Sequence, residues 1–306
     1  MKGTPARSRG AAIIIAMIVA ALAATVTIAI AAEQQRWLSG VAARRDQVQA
    51  QSLALAAVQW TRQILFDDAA HGSIDYLGEP WALPLPPTPL ENGSIEGRII
   101  DAQSFLNVNN LAQTGSAGDH ERARFARLFA QRGLGAPALD ALADWIDTDS
   151  QARAQGAEDT WYARQASPYL TANAPLLRIG ELAAVRGFDD ATLTRVLPYL
   201  TALPETTALN VNTAPAIVLA AVLGVRESDV AGLVAERVSR PFTTVADFRN
   251  RLPQGASIDD ERAFAVASSY FIVTVRARQG DTVAQARALL KRGQGAWPSV
   301  VWQTIE

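Results

Sequence analysis

The chain has 306 residues, 49% hydrophobic and 19% charged, with 28 basic and 30 acidic side chains and a net charge of −2. This balance lacks the concentrated positive surface that nucleic acid requires, and the absence of cysteine excludes disulfides and thiolate metal sites. Only His71 and His120 are available for imidazole chemistry, and the length allows an N-terminal segment plus one large or two small domains.

The first ten residues, MKGTPARSRG, carry Lys2, Arg7 and Arg9 and lead into Ala11–Ala32, a run of 22 residues without a charge. As a helix this run spans about 33 Å, enough to cross a hydrocarbon core. Basic residues before it and Glu33 directly after it put the leader in the cytoplasm. Three fates compete. Ala29-Ile30-Ala31 fits a small-x-small signal cleavage site, but the apolar run exceeds the usual signal core of roughly 7–15 residues. A simple signal anchor is the second reading. The third is a helix that the mature protein keeps, because the run continues into EQQRWLSGVAARRDQVQAQSLALAAVQWTRQILFDD with no proline before Asp68 and only Gly40 as glycine. Trp37, Val41, Val48, Leu55, Arg62 and Leu65 then fall at helical spacings, so one mostly apolar stripe is predicted along a rod roughly 80 Å long.

Residues 67–92 form a connector with Pro80, Pro84, Pro86, Pro87 and Pro89, unsuited to a helix or a central strand. Asn92-Gly93 signals a turn before a strand at Ser94–Ile100, with Phe105–Asn109 as an extension. Ser269–Arg278 is the clearest strand; a Gln279-Gly280-Asp281 turn joins it to Thr282–Leu290, and Ser299–Ile305 supplies a last one. Between these regions residues 110–265 read as helical throughout, with helices at His120–Arg132, Ala138–Ile146, Ile179–Val185, Ala191–Leu200, Ala214–Leu223, Glu227–Val238 and Val245–Arg251. A helical region flanked by strands of one sheet is an insertion, because the strands must meet across it.

The insertion holds a weak repeat: FLNVNNLA (105–112) matches ALNVNTAP (208–215) at an offset of 103. The second copy reads as a helix-hairpin-helix unit with Thr213 as N-cap, Pro215 in the first turn and Gly224 in the hairpin. Its Arg226, Arg237, Arg240 and Arg249 are balanced by Glu227, Asp229, Glu236 and Asp247, and the chain has only two lysines, Lys2 and Lys291, so phosphate binding is not expected.

No GxGxxG, GxxxxGK[ST], GxSxG or HExxH occurs, and no catalytic activity is expected. One stretch has the oxygen donors to hold an ion: ADWIDTDSQARAQGAEDTWYARQASPYLTAN, residues 143–173. Asp147, Asp149 and Glu158 occupy positions 1, 3 and 12 of an EF-hand-like count, a spacing that lets oxygens surround Ca²⁺. Gln151 and Ala152 stand where the loop needs an oxygen ligand and glycine, so it is not an EF-hand proper. Asp144, Asp159 and Asn173 are further oxygen donors, Tyr162 and Tyr169 read as packing residues, and a solvated acidic helix end is the competing reading.

An apolar helix prolonged into a polar-faced rod after a basic leader ending in Gly10 resembles the type IV pilin and pseudopilin family. The order of leader, rod, helical insertion, NVNTAP hairpin and C-terminal strands resembles the K-type minor pseudopilins of general (type II) secretion over essentially the whole chain. The resemblance implies an α+β fold: a type IV pilin-like long N-terminal helix and small antiparallel sheet, with a large inserted all-α (helix-hairpin-helix or SAM-like) domain. It implies a leader over 1–10, a transmembrane assembly helix over 11–32, a pilin-like helix with connector and first strands over 33–109, the insertion over 110–265 and the last strands over 266–306. It further implies cleavage between Gly10 and Ala11 by a prepilin peptidase, an inner-membrane anchor with the globular part in the periplasm, and minor pseudopilins I and J and secreted proteins as partners. Pilins usually carry glutamate five residues after the cut, and here that residue is Ile15, which reads as a tip subunit with no neighbour above; Ala11 also departs from the usual Phe or Met. The resemblance implies structural Ca²⁺, with Asp147, Asp149, Glu158, Asp159 and Asn173 as the candidate ligands. The rival is a membrane-anchored or secreted helix-hairpin-helix module for DNA uptake.

Overall fold

The computed structural model describes residues 8–293 and 295–306; Lys2 and Arg7 of the expected leader lie outside them. The first element is α1 (Ser8–His71), a 64-residue helix. Proline-free sequence lets it run uninterrupted, and Ala50, Ala54, Ala57, Val58, Thr61 and Leu65 form its buried row. Alanines on that face bring the helix axis close to the sheet beneath. The predicted stripe mixes two faces: Leu65 is buried, whereas Trp37 (67% exposed), Val41 (46%) and Val48 (61%) face outward. Steps of three, four and seven with slips drift around the helix, so the upper stripe is free and the lower end turns inward.

A 3₁₀ turn at Pro80–Ala82 sets Trp81 under the sheet, edge-on to Phe271 with ring centroids 5.2 Å apart. The connector then forms β1 (Leu85–Leu90), an edge strand, where prolines are tolerated. β2 (Gly93–Asp101) follows the Asn92-Gly93 turn.

Next come β3 (Leu106–Asn107), α2 (Gly115–Gln131), α3 (Ala136–Ile146), α4 (Asp159–Tyr162), α5 (Asp190–Val196), β4 (Leu200–Thr201), β5 (Leu209–Asn210), α6 (Ala216–Leu223), α7 (Glu227–Ser239), α8 (Val245–Asn250) and β6 (Phe264–Ala265). The return to the sheet is β7 (Tyr270–Gln279), β8 (Thr282–Gly293) and β9 (Ala296–Ile305). β1-β2-β7-β8-β9 is the order of the five-stranded sheet, and every neighbouring pair is antiparallel. β2 pairs with β7 across the whole excursion, Asp101 opposite Phe271 and Gly93 opposite Gln279. One face of the sheet (Ile99, Val273, Val275, Ala277, Ala286, Ala288 and Leu290) packs on α1, and a separate core fills the helical excursion. The long helix with a small antiparallel sheet is the expected fold class.

The excursion is not all-α, since β4, β5 and β6 lie within residues 110–265, and it departs from the expected elements in four places. Residues 106–107 do not extend β2; they pair in parallel with β4. Residues 147–189 are mostly loop, holding only the single turn of α4 and a 3₁₀ stretch at Ile179–Ala184. The helix expected over Ala191–Leu200 ends at Val196, and Leu200 is already strand. Pro215, not Thr213, is the N-cap of α6, and Thr213 Oγ1 lies 2.5 Å from Asp101 Oδ2, to which it donates. The Gly224 expectation holds: it caps α6 at φ +72°, a left-handed conformation that glycine adopts freely.

The sequence repeat is a repeat of structure. Asn107 and Asn210 each accept a hydrogen bond from the backbone two residues on, Asn109 N and Asn212 N. Both two-residue strands close onto the end of their module in parallel, β3 on β4 and β5 on β6. Asn109 and Asn212 then act as side-chain clamps. Asn109 accepts from Leu176 N (2.8 Å) and donates to Leu176 O (2.9 Å); Asn212 does the same with Phe242 N (2.8 Å) and Phe242 O (3.0 Å). Each amide imitates a paired strand residue and satisfies buried backbone that has no strand beside it.

Asp101 ties the sheet to the second module. Its Oδ1 accepts from Gln103 N (2.8 Å), and its Oδ2 accepts from Asn210 Nδ2 (2.9 Å), Thr213 Oγ1 and Ser268 Oγ (2.7 Å). Burial pushes its carboxyl up to about 6, against the pull of these donors.

Candidate metal centre and exposed helix face

The acidic stretch begins inside α3. Asp144 is fully buried; its Oδ1 accepts from Arg153 Nη1 at 2.7 Å and its Oδ2 from Ala157 N at 2.9 Å. These bonds fold the loop after Ile146 back onto the helix end. Gly156 makes the approach possible, because a Cβ there would lie 1.7 Å from Asp144 Oδ2. Arg153 Nη1 also donates to Asp147 Oδ2, and Gln155 N reaches Asp140 Oδ2 at 3.1 Å. The loop so held delivers Glu158 to the start of α4.

This folding brings three of the predicted residues together: Asp147, Asp149 and Glu158 each offer a carboxylate oxygen within 4.8 Å of the others. Asp147 Oδ1 and Glu158 Oε1 are buried without a hydrogen-bond partner, as is Asn173 Oδ1. Asn173 has φ +44°, a left-handed backbone that a non-glycine residue seldom adopts. Asp149 Oδ1 accepts from Gln151 N at 2.8 Å. Asp159 stands apart from the trio; its Oδ1 accepts from Thr171 N at 2.9 Å and lies 2.5 Å from Thr171 Oγ1, and these bonds hold its carboxyl below the usual range. Burial pushes Glu158 the other way, upward, with Asp144, Asp147 and Asp159 adding to it against Thr171.

Orphaned, buried, anionic oxygens from neighbouring loop residues are a donor set suited to a hard divalent cation. Tyr162 and Tyr169 pack instead, Tyr162 with Trp145 and Tyr169 at centroid distances of 5.1 and 5.2 Å; burial pushes the Tyr162 hydroxyl up to about 12. Sequence reasoning missed Arg153 and Thr171, and the reason for Gly156. A glycine within an otherwise polar loop was the only signal, and it does not say which carboxylate comes close. A second acidic cluster, Asp68, Asp75 and Glu79, is also paired with an arginine, Arg292 donating to Asp68 Oδ2 and to both Asp75 oxygens at 2.5–2.6 Å, but unlike the first it has no buried carboxylate oxygen left without a partner.

The other surface with functional content is α1. Its most apolar 18 residues have a mean hydropathy of 2.8 and none is buried, so the helix is long and apolar enough to cross a membrane. Gly10 and Ala11, the expected cleavage pair, are exposed on it, and Ile15 faces outward at 61%. Beyond the apolar run, Trp37, Val41, Val48 and Leu55 recur at steps of four and seven and so share one line along the helix.

The family description "Type II secretion system (T2SS), protein K" matches residues 104–205 and, in a second part, 209–267. The division falls between the two structural modules. "Type II secretion system protein K" of Pseudomonas aeruginosa is 31% identical over 93% of this chain and 89% of its own length. The protein of that name from Klebsiella pneumoniae is 33% identical over 94% of this chain and 93% of its own. Among solved structures, a chain of the GspK-GspI-GspJ complex from the enterotoxigenic Escherichia coli type 2 secretion system superposes with a TM-score of 0.77, covering 87% of this chain and 99% of that one. At 24% identity that likeness bears on the fold.

Proposed function

The chain belongs to the type II secretion system protein K family, and from that premise we propose that it is a minor pseudopilin that sits at the tip of a short periplasmic pseudopilus, starts its assembly and aids export of folded proteins. The observation that carries this reading is α1: an exposed apolar helix continuous with a rod whose outward face, Trp37 to Val48, is also unpartnered among the described residues. Such a helix is costly in water and is satisfied by lipid and then by neighbouring helices of the same kind. Cleavage by a prepilin peptidase between Gly10 and Ala11 leaves this helix in the product, anchored in the inner membrane with the head in the periplasm. Ile15 removes the buried carboxylate that a subunit with a neighbour above needs, and the broad helical excursion fits a tip better than a filament wall. Its partners are minor pseudopilins I and J, named with a structural relative in one complex, and exported proteins. No catalytic step is assigned to it. The hairpin arginines are occupied internally, Arg226 with Asp229, Arg240 with Glu236 and Arg249 with Glu261, which supports a role without nucleic acid. Co-purification of the detergent-solubilised chain with pseudopilins I and J is the expected outcome. Recovery of the chain alone under conditions where I and J bind one another would contradict the reading.

We also propose that Ca²⁺ is a structural ion here, held by Asp147, Asp149 and Glu158, with Asn173 Oδ1 as the neutral oxygen and Asp159 bracing the loop through Thr171. When bound, the ion cancels the mutual repulsion of the carboxylates and fixes residues 147–159 to the end of α3. A ligand that binds only the folded state adds about 2.7 kcal/mol at a hundredfold excess over its dissociation constant. For a chain of this size that is a melting shift of roughly 4–5 °C between chelator and calcium. Magnesium shifts it less, since it prefers tighter octahedral geometry and keeps its water. Asp147→Ala with Glu158→Ala abolishes the shift; a shift that persists in the double variant would place the ion elsewhere.

A further inference from the structure

The two edges of the five-stranded sheet are built differently. β1, LPPTPL, carries Pro86, Pro87 and Pro89, which have no N–H to offer a further strand. β9, AWPSVVWQTI, has no charge and one proline, Pro298, near its start. It pairs with β8 alone, with breaks of register at Val301 and between Ser299 and Ala296, and among the described residues no other backbone group bonds to residues 299–305. Trp297, Val300 and Val301 are 46%, 37% and 39% exposed. The segment SVVWQTI therefore offers unpaired N–H and C=O groups along an uncharged, β-branched and aromatic edge, which is a template for another strand.

This edge is continuous with the line on α1, exposed at Trp37, Val41 and Val48 and half-buried at Leu55. Seven residues beyond Leu55 on that line is Arg62, whose Nε donates to Pro298 O at 2.6 Å and whose guanidinium lies 5.4 Å from the Trp297 ring. Phe66, one turn further, packs against Trp297 at 5.4 Å between centroids. A helix laid along Trp37, Val41, Val48 and Leu55 thus runs directly to the start of β9.

We propose that β9 is a docking edge that receives an extended strand from the head of the neighbouring pseudopilin whose N-terminal helix packs along the Trp37–Leu55 line. The inference rests on the assembly reading. The occupant is a pilin-like subunit because only a partner with both a long apolar helix and a strand-bearing head covers the two surfaces at once. Pairing is through main-chain hydrogen bonds, with apolar side chains meeting Val300 and Val301, so it depends little on salt.

The test uses the full-length chain in detergent with pseudopilins I and J. Amide exchange over residues 299–305 should slow at least tenfold in the complex relative to the chain alone. Val301→Lys, and independently Val300→Lys, should weaken the complex tenfold or more with the melting temperature unchanged, while Thr88→Lys on β1 has no effect. Val48→Glu on the helix line separates the two ideas. If Val48→Glu disrupts the complex but neither lysine does and exchange is unaltered, the edge proposal is overturned and the assembly reading stands. If no complex forms with the wild-type chain, the assembly reading itself fails. Protection of residues 299–305 that grows with concentration of the chain alone assigns the edge to a second copy and overturns the pseudopilin as occupant.

Discussion

Asn212→Leu lowers the stability of the protein by about 2–5 kcal/mol, because it strands both the N–H and the C=O of Phe242 in a buried place, each at roughly 1–3 kcal/mol. The melting temperature should fall by roughly 3–8 °C for a chain of this size. Asn212→Asp should be at least as damaging, since a buried carboxylate still accepts from Phe242 N but repels Phe242 O. Asn109→Leu should behave like Asn212→Leu at Leu176, with Leu203 O, 2.8 Å from Asn109 Nδ2, left unpaired as well. Thermal unfolding of the four proteins checks this; a loss under 1 kcal/mol for either leucine variant would mean that the clamps are incidental.

Those asparagines show where sequence reading succeeds and where it stops. LNVN recurs visibly at an offset of 103, and its place before helices is correct. Its purpose was hidden, because the clamped residues are 67 positions away in one copy and 30 in the other, with no spacing rule to link them. The difference has a cause: Arg240 and Pro241 alone separate α7 from Phe242, whereas residues 147–175 separate α3 from Leu176. The acidic loop is the extra chain of the first module. A run of polar residues with no periodicity carries no sign of being pinned from within, so the sequence shows a loop after Ile146 but not what holds it. Its local spacing was readable, and the trio at 147, 149 and 158 comes together because a tight loop preserves local order. Strands with alternating burial, such as β7, were placed to within a residue or so, since period-two patterning survives folding directly. The long helix was clear, but its faces were not: a drifting apolar stripe cannot say which part the sheet will cover.

Val19→Glu abolishes incorporation into the pseudopilus. A carboxylate at the centre of an apolar span costs roughly 2.5–3.5 kcal/mol even for insertion, and the residue is exposed on a helix that has no cation within reach among the described residues. A loss of a hundredfold or more in assembled subunit is expected, read by crosslinking or by co-purification with pseudopilins I and J. Ile15→Glu, by contrast, should be tolerated or mildly harmful, since it restores a carboxylate where pilins carry one. It should not lengthen filaments or increase their number. If it does, the missing glutamate is not a mark of a tip position.

If the apolar helix is part of the working protein, the N-terminal residue of the mature chain shows it. Intact mass and N-terminal sequencing of the protein recovered from the inner membrane should place that residue at Ala11, with residues 12–32 retained. An N-terminus at Ala32, after the Ala29-Ile30-Ala31 site, would mean ordinary secretion with loss of the helix, and no role for it in assembly.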